Sequence, residues 1–297
     1  MKKINPMIIG IIPFAIFGLS FLFTKVAIDS FDDVFHLLGL RFLLAVLGLT
    51  VMMLIGVIKI DMKGKSIKAL LLVALFQPIF YFTFETFGIK YSSSSQAGVM
   101  IAFIPVVVTL FAVVFLKERT NRLQLIFIFL SVIGVLIMNS DVTFTLDSLK
   151  GTLFLMGAVL SAAFYQVLSR HASKEYSSLE ITYIMMCVGA IFFNIIGLYN
   201  SFQSGTLTAY LKPLITLDLI VPLLYLGILS SVFAFFLINY VLSHVAASKA
   251  SVLANLTTII AIVAGVLFLD ESFSMIMIVG SVLILIGVYG TARVKVK

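Results

Sequence analysis

Apolar residues in this chain gather into long runs, with the polar residues collected at short gaps between them. About twenty such residues, wound as a helix, cross a hydrocarbon layer of ~30 Å. Ten runs of this kind predict ten transmembrane helices: Pro6–Ile28, Val34–Ile58, Ala69–Lys90, Ser93–Leu116, Leu123–Met138, Lys150–Arg170, Leu179–Asn200, Leu217–Leu242, Ala246–Leu269 and Ser274–Ala292. The fifth is the shortest. The longest gap is Ser201–Thr216, so consecutive helices run antiparallel.

Composition agrees with this pattern. Hydrophobic residues make up 62% of the chain, charged residues 11%, and mean hydropathy is +1.21. A surface this poor in charge is solvated by lipid rather than water. No stretch is polar enough for a separate soluble domain, which makes the expected fold an all-α integral membrane domain. Lys2 and Lys3 precede an apolar run too long for a signal-peptide core, with no small-residue cleavage pattern, so the run reads as an uncleaved first span. Cys187 has no partner cysteine, which excludes a disulfide framework. The net charge of +7 is distributed among the gaps between helices and is not a nucleic-acid signal.

The basic residues set an orientation. Of the 20 Lys and Arg, fifteen fall at one set of helix ends, including Lys59, Lys63, Lys65 and Lys68. Only Lys90, Lys150 and Lys212 fall at the other, and Lys25 and Arg41 lie within spans. The positive-inside rule then places both termini in the cytoplasm of a multi-pass cell-membrane protein. The chain also repeats itself: Ser95–Val135 recurs in register as Ser248–Val288, with identities that include Ser95/Ser248, Glu118/Glu271 and Gly134/Gly287. Five helices per unit is an odd number, so the second unit enters the membrane in the opposite sense. The expected architecture is therefore a five-plus-five inverted repeat, residues 1–140 and 141–297, within one membrane domain.

Several motifs carry a family resemblance. Arg41-Phe42-Leu43-Leu44 lies in the second span, and Tyr91-Ser92-Ser93-Ser94-Ser95-Gln96-Ala97 leads into a fourth span that contains Pro105 and ends in Leu116-Lys117-Glu118. The second unit echoes this block from Ala246-Ala247-Ser248-Lys249-Ala250 to Leu269-Asp270-Glu271, with Thr258 where Pro105 would repeat and no Trp anywhere. Over its whole length the chain resembles the EamA-type members of the drug/metabolite transporter superfamily. The resemblance implies secondary transport of a small organic metabolite, often export of amino acids or related carboxylates, with the lipid bilayer and the solute as the partners.

Glu85 is the most informative ionisable residue, because an intramembrane carboxyl group costs about 3 kcal/mol or more unless it faces protein or water. Gln77, Tyr81 and Glu85, at i, i+4 and i+8, form one stripe that should face an interior cavity. The stripe is either an interhelical tie or a substrate and proton-coupling site. Arg41 and Lys25 lie at similar depth. Arg41 either pairs with Glu85 as a structural ion pair or joins Lys25 in a site for a carboxylate-bearing substrate, and Lys25 alone can snorkel to the surface. Ser251, Asn255 and Thr258 make a second stripe, of which Asn255 needs the most partners. Tyr165 and Gln166 in the sixth span, and Ser20 with Thr24 in the first, complete the candidates. The cavity is expected between the first, third, sixth and ninth spans, with the fifth and tenth peripheral. Pro13, Pro78 and Pro105 interrupt spans and free carbonyls one turn earlier.

Other functions have less support. His36, His171 and His244 show no ligand spacing, and no HExxH, GxGxxG or P-loop pattern is present, so neither a metal nor a nucleotide cofactor is expected. The alternatives are a membrane scaffold or an intramembrane enzyme without a recognisable motif. The predicted orientation has a direct check. Cysteines substituted at Ser30 and Ser204 should react with an impermeant reagent outside intact cells, and one at Ser66 should not; the reverse pattern overturns the topology.

Overall fold

The computed structural model describes residues 6–31, 33–63, 65–116, 122–140, 146–245, 247–272 and 274–293. Among them all regular structure is helical. A bilayer demands this, since backbone N–H and C=O groups that lack water must bond within their own segment. In chain order the helices are α1 Pro6–Ile28, α2 Val34–Leu54 and α3 Lys68–Lys90. Next come α4, in two pieces Ser94–Ile101 and Ile104–Leu116, α5 Arg122–Ser140 and α6 Leu146–Ala172. They are followed by α7 Ser178–Gln203 and α8 Leu217–His244. The last are α9, which runs from Ala247–Ala250 through Ser251–Leu253 into Ala254–Phe268, and α10 Met275–Arg293. Seven helices are long and apolar enough to cross a membrane, and shorter apolar helices lie at Leu125–Gly134, Ala254–Phe268 and Met275–Gly287. The outer surface is apolar, with Leu54, Phe129, Phe202 and Leu217 among its exposed side chains.

Local chemistry sets the helix ends. Asp33 accepts from the Phe35 N–H at the start of α2 (3.0 Å), and Ser93 accepts from the Gln96 N–H at the start of α4 (3.0 Å). Ser177 and Glu180 form a reciprocal capping box on α7. α2 stops at Leu54 although the apolar run continues to Ile58. Gly56 takes φ +76°, and the Val57 and Gly56 N–H groups bond back to Met52 and Met53 (2.9 and 3.1 Å), a Schellman ending.

In the bundle α2 packs on α7, α4 on α9 and α5 on α10, while α1 lies against α8 and α9 and α6 lies against α3 and α4. Small residues permit the closest of these approaches: a Cβ on Gly18 of α1 would meet the Ile260 side chain at 2.7 Å and the Thr257 carbonyl of α9 at 2.9 Å. Side-chain hydroxyls and amides then bond across helices to backbone carbonyls, as Thr258 does to Gly98 (2.8 Å), Tyr225 to Ile16 (2.9 Å) and Asn194 to Gly39 (2.9 Å).

Two polar clasps sit at opposite ends of α3. Near its C-terminal end, the Glu271 carboxylate beyond α9 accepts from the Ser94 and Ser95 N–H groups (2.7 and 2.8 Å), which satisfies the first turn of α4 with a charged acceptor. The repeat-equivalent Glu118 lies outside the described residues. Before the N-terminal end of α3, Lys65 Nζ donates to both Glu180 oxygens at 2.8 Å, and the Tyr176 hydroxyl donates to the Ser66 carbonyl. Glu271→Ala should lower the stability of the purified protein by about 1.5–3 kcal/mol, the value of hydrogen bonds to a charged group. A thermal melt unchanged from the parent would show that water replaces the carboxylate at no cost.

Candidate functional site

Four helices are interrupted. α3 widens into a π-helical turn at Leu75–Phe80, where Pro78 offers no N–H and Gln77 takes extended backbone angles, φ −147° and ψ 112°. α8 widens likewise over Tyr225–Ala234, just beyond Pro222, a proline that the sequence reading passed over. α4 breaks after Ile101, the carbonyl that Pro105 has no N–H to reach. α9 passes through a tight 3-10 turn at Ser251–Leu253 without a proline.

The breaks of α3 and α4 open on one interior cavity, and α8 and α9 line it just beyond their turns. Gln77 and Tyr81 reach it from α3, Ile101 and Ile104 flank the break in α4, Phe235 follows the wide turn of α8, and Ala254 follows the tight turn of α9. α1 contributes Phe14, Phe17 and Ser20, and α6 contributes Ala162, Tyr165 and Gln166. The cavity has a volume of ≈ 50 Å³, room for a few waters beside polar partners. α1, α3, α6 and α9 line it as the sequence predicts; α4 joins them at its break, and α8 through Phe235 and Ile238 beyond its wide turn. Among the described residues α5 and α10 contribute nothing to the lining.

The expected site residues separate into two groups. Gln77, Tyr81, Glu85, Tyr165 and Gln166 all line this cavity, and all are buried. Glu85 is 2% exposed; its Oε1 accepts from the Tyr81 hydroxyl at 3.3 Å, while its Oε2 is buried with no partner. Gln166 Oε1 is also buried and unpartnered. The other three lie apart from the lining. Lys25 is half-buried and pairs with Asp29 one helical turn on, at 3.9 Å. Asn255 sits between the lining residues Ala254 and Thr257 but is not part of the wall, and its Oδ1 is buried without a partner.

Arg41 is fully buried, yet among the described residues no carboxylate lies within 4.0 Å of it; the ion pairs found there are Lys25–Asp29 and Lys65–Glu180. Its Nε and Nη2 donate to Ser231 and Ser230 at 2.9 and 3.0 Å, two hydroxyls that the wide turn of α8 presents side by side. Its guanidinium also lies 4.1 Å from the centroid of the Phe82 ring, a cation–π contact strengthened by exclusion of water. Phe82 lines the cavity, and the arginine contacts it from outside the lining. Arg41 and Glu85 are therefore not in direct contact.

Asn239 in α8, absent from the sequence candidates, is the hub of a buried network. Its Oδ1 accepts from Tyr165 (2.8 Å) and Ser169 (2.7 Å), and its Nδ2 donates to Thr182 (3.0 Å). A lone Asn in an apolar run was the available signal, as was the Ser230-Ser231 pair. Outside the spans, the Tyr210 ring stacks on His36 and its hydroxyl donates to Asn194 at 3.0 Å. Burial, reinforced by the Asp33 carboxylate, raises the Tyr210 phenol above its ordinary value.

A lipid-facing helix bundle whose interrupted helices line an interior cavity of mixed polar and aromatic side chains is the architecture of a membrane transporter. The chain matches the EamA-like transporter family twice, over residues 5–140 and 149–293, and it belongs to that family. It is 38% identical over 278 residues to the uncharacterized transporter YcxC of Bacillus subtilis (strain 168), covering 93% of this chain and 89% of that protein. It is 25% identical over 276 residues to an uncharacterized transporter of Archaeoglobus fulgidus, covering 93% and 94% of the two chains. A crystal structure only 15% identical in sequence superposes with a TM-score of 0.63 over 96% of this chain and 95% of that one, which shows a shared fold.

The partners of Arg41 define a double-mutant test. Arg41→Gln combined with Ser230→Ala and Ser231→Ala should show a coupling energy of about 1 kcal/mol or more in thermal melts, as for residues in contact. Arg41→Gln combined with Glu85→Gln should be close to additive. Strong coupling of Arg41 to Glu85 instead would restore the ion-pair reading.

Proposed function

We propose that this chain is a secondary transporter that moves a small organic metabolite, of the amino-acid or related carboxylate kind implied by its family, out of the cell by alternating access. In this reading it has ten transmembrane helices arranged as a five-plus-five inverted repeat, with both termini cytoplasmic. The observation that carries the proposal is one interior cavity lined by four interrupted helices, with Glu85, whose Oε2 is buried and unpartnered, in its wall. Discontinuous helices facing a central cavity are how membrane transporters build a solute site without exposing free backbone groups to lipid.

Helix packing supports the repeat. If each helix is exchanged for the one five places away, α1–α9 becomes α6–α4 and α3–α6 becomes α8–α1, and all four pairs are in contact. The clasps at Glu271 and at Lys65–Glu180 lie at opposite ends of α3, where a rocking motion would release one while keeping the other. Glu85, Tyr81, Gln77, Tyr165 and Gln166 are the residues proposed to meet the solute, with Glu85 as the coupling group.

A metabolite panel assayed with the purified protein in proteoliposomes, with and without a pH gradient, tests this. At least one solute should exchange in the parent protein and accumulate when a gradient is imposed. Glu85→Gln should retain exchange and lose gradient-driven accumulation. Accumulation unchanged in Glu85→Gln removes its coupling role, and no movement of any solute removes the transporter reading.

A further inference from the structure

We propose that the cavity recognises a protonated amine carried on an apolar body, with the ammonium group at Glu85 and Gln166. This rests on the transport reading above and assigns its solute to one chemical class, an amine in place of a carboxylate. The hydrogen-bonding state of the wall carries it. Four hydroxyls line the cavity, and each already donates its proton elsewhere: Ser20 to the Phe17 carbonyl (2.7 Å), Thr257 to the Phe14 carbonyl (2.8 Å), Tyr165 to Asn239 (2.8 Å) and Tyr81 to Glu85 (3.3 Å). What these groups can offer a solute is oxygen lone pairs.

Glu85 Oε2 and Gln166 Oε1 add two buried oxygens with no donor at all. The wall's own side-chain donors are the amides of Gln77 and Gln166, and an amide turned over presents its oxygen instead. Among the described residues no Lys, Arg or His lines the cavity. Arg41 is held by Ser230 and Ser231 behind the Phe82 ring, and Lys25 is paired with Asp29. A carboxylate placed here would find no cation in the wall and few donors. An ammonium ion, with several N–H groups and no acceptor, meets what the wall lacks.

The apolar lining supplies the rest of the recognition. Phe235 joins a cluster of aromatic rings in the same wall, its ring centroid 5.1 Å from Phe17, 5.8 Å from Phe82 and 6.0 Å from Tyr165. Ring faces attract cations and pack against apolar bodies. A buried carboxylate with an open oxygen and aromatic neighbours is thus a site for one positive charge attached to a hydrocarbon or aromatic group.

Binding of three probes of similar shape to the full-length protein tests the idea: 2-phenylethylammonium, 3-phenylpropanoate and 3-phenylpropan-1-ol, each followed by calorimetric titration in detergent at neutral pH. The ammonium probe should bind at least tenfold more tightly than the other two. Glu85→Gln should remove that preference, and Glu85→Asp, which keeps the charge, should retain part of it and so exclude simple loss of the fold. Equal or tighter binding of the carboxylate or the alcohol overturns the proposal, as does an undiminished preference in Glu85→Gln. Vesicle flux separates this from the broader reading. Ammonium binding without movement of any panel solute sinks transport but not the site, whereas flux of solutes that carry no amine sinks the amine class alone.

Discussion

A helix interrupted inside a bilayer must turn its freed backbone groups toward protein or water, because lipid offers them no partner. That constraint organises this molecule. Pro78 widens α3, the turn beyond Pro222 widens α8, the lack of an N–H at Pro105 parts α4, and α9 tightens at Ser251–Leu253. The breaks of α3 and α4 face the cavity, the wide turn of α8 faces the buried Arg41, and α9 joins the wall just beyond its tight turn. The uninterrupted helices are free to face lipid. α5 and α10, packed on one another, contribute nothing to the lining, and the long straight α2 and α7 form a second such pair.

The same constraint decides how the buried charges are partnered. A guanidinium and a carboxylate at similar depth would ordinarily be expected to neutralise one another. Here the wide turn of α8 sets Ser230 and Ser231 side by side on Arg41, and the Phe82 ring covers the cation from the cavity side. Arg41 is thereby stabilised without a carboxylate, and Glu85 is left with one hydroxyl contact and one open oxygen. Had the two formed a tight pair, the cavity would contain no available charge. Partnering the arginine with hydroxyls leaves Glu85 with no cation in direct contact among the described residues.

Much of this was legible in the sequence, and the parts that were not share a cause. Hydropathy located the helices, since the length of an apolar run is a direct consequence of bilayer thickness. It missed the end of α2, because a positive-φ glycine stops a helix without changing its hydropathy. The Gln77, Tyr81 and Glu85 stripe was readable from spacing, and all three residues line the cavity although a π-helical turn separates the first two. The stripe of Ser251, Asn255 and Thr258 does not reach the wall. Thr258 donates to the Gly98 carbonyl of α4, and Ala254 and Thr257 face the space instead. Asn239, Ser230 and Ser231 went unnoticed because their partners lie on other helices, tens to hundreds of residues away, and a polar residue in an apolar run does not by itself name them.

The two matched halves of the chain contribute unequal chemistry to the space between them. α3 brings Gln77, Tyr81 and Glu85, whereas α8, five helices later, brings Phe235 and Ile238. The polar residue next along α8, Asn239, turns away to hold the Tyr165, Ser169 and Thr182 hydroxyls. The cavity is thus polar on its α3 and α6 side and mainly aromatic or aliphatic across α1, α4, α8 and α9. A symmetric pair of carboxylates would repel at close range and raise the energy of an empty site. A single carboxylate avoids that. The two matched halves thus bring different chemistry to one cavity, and among the described residues only the first brings a carboxyl group to its wall.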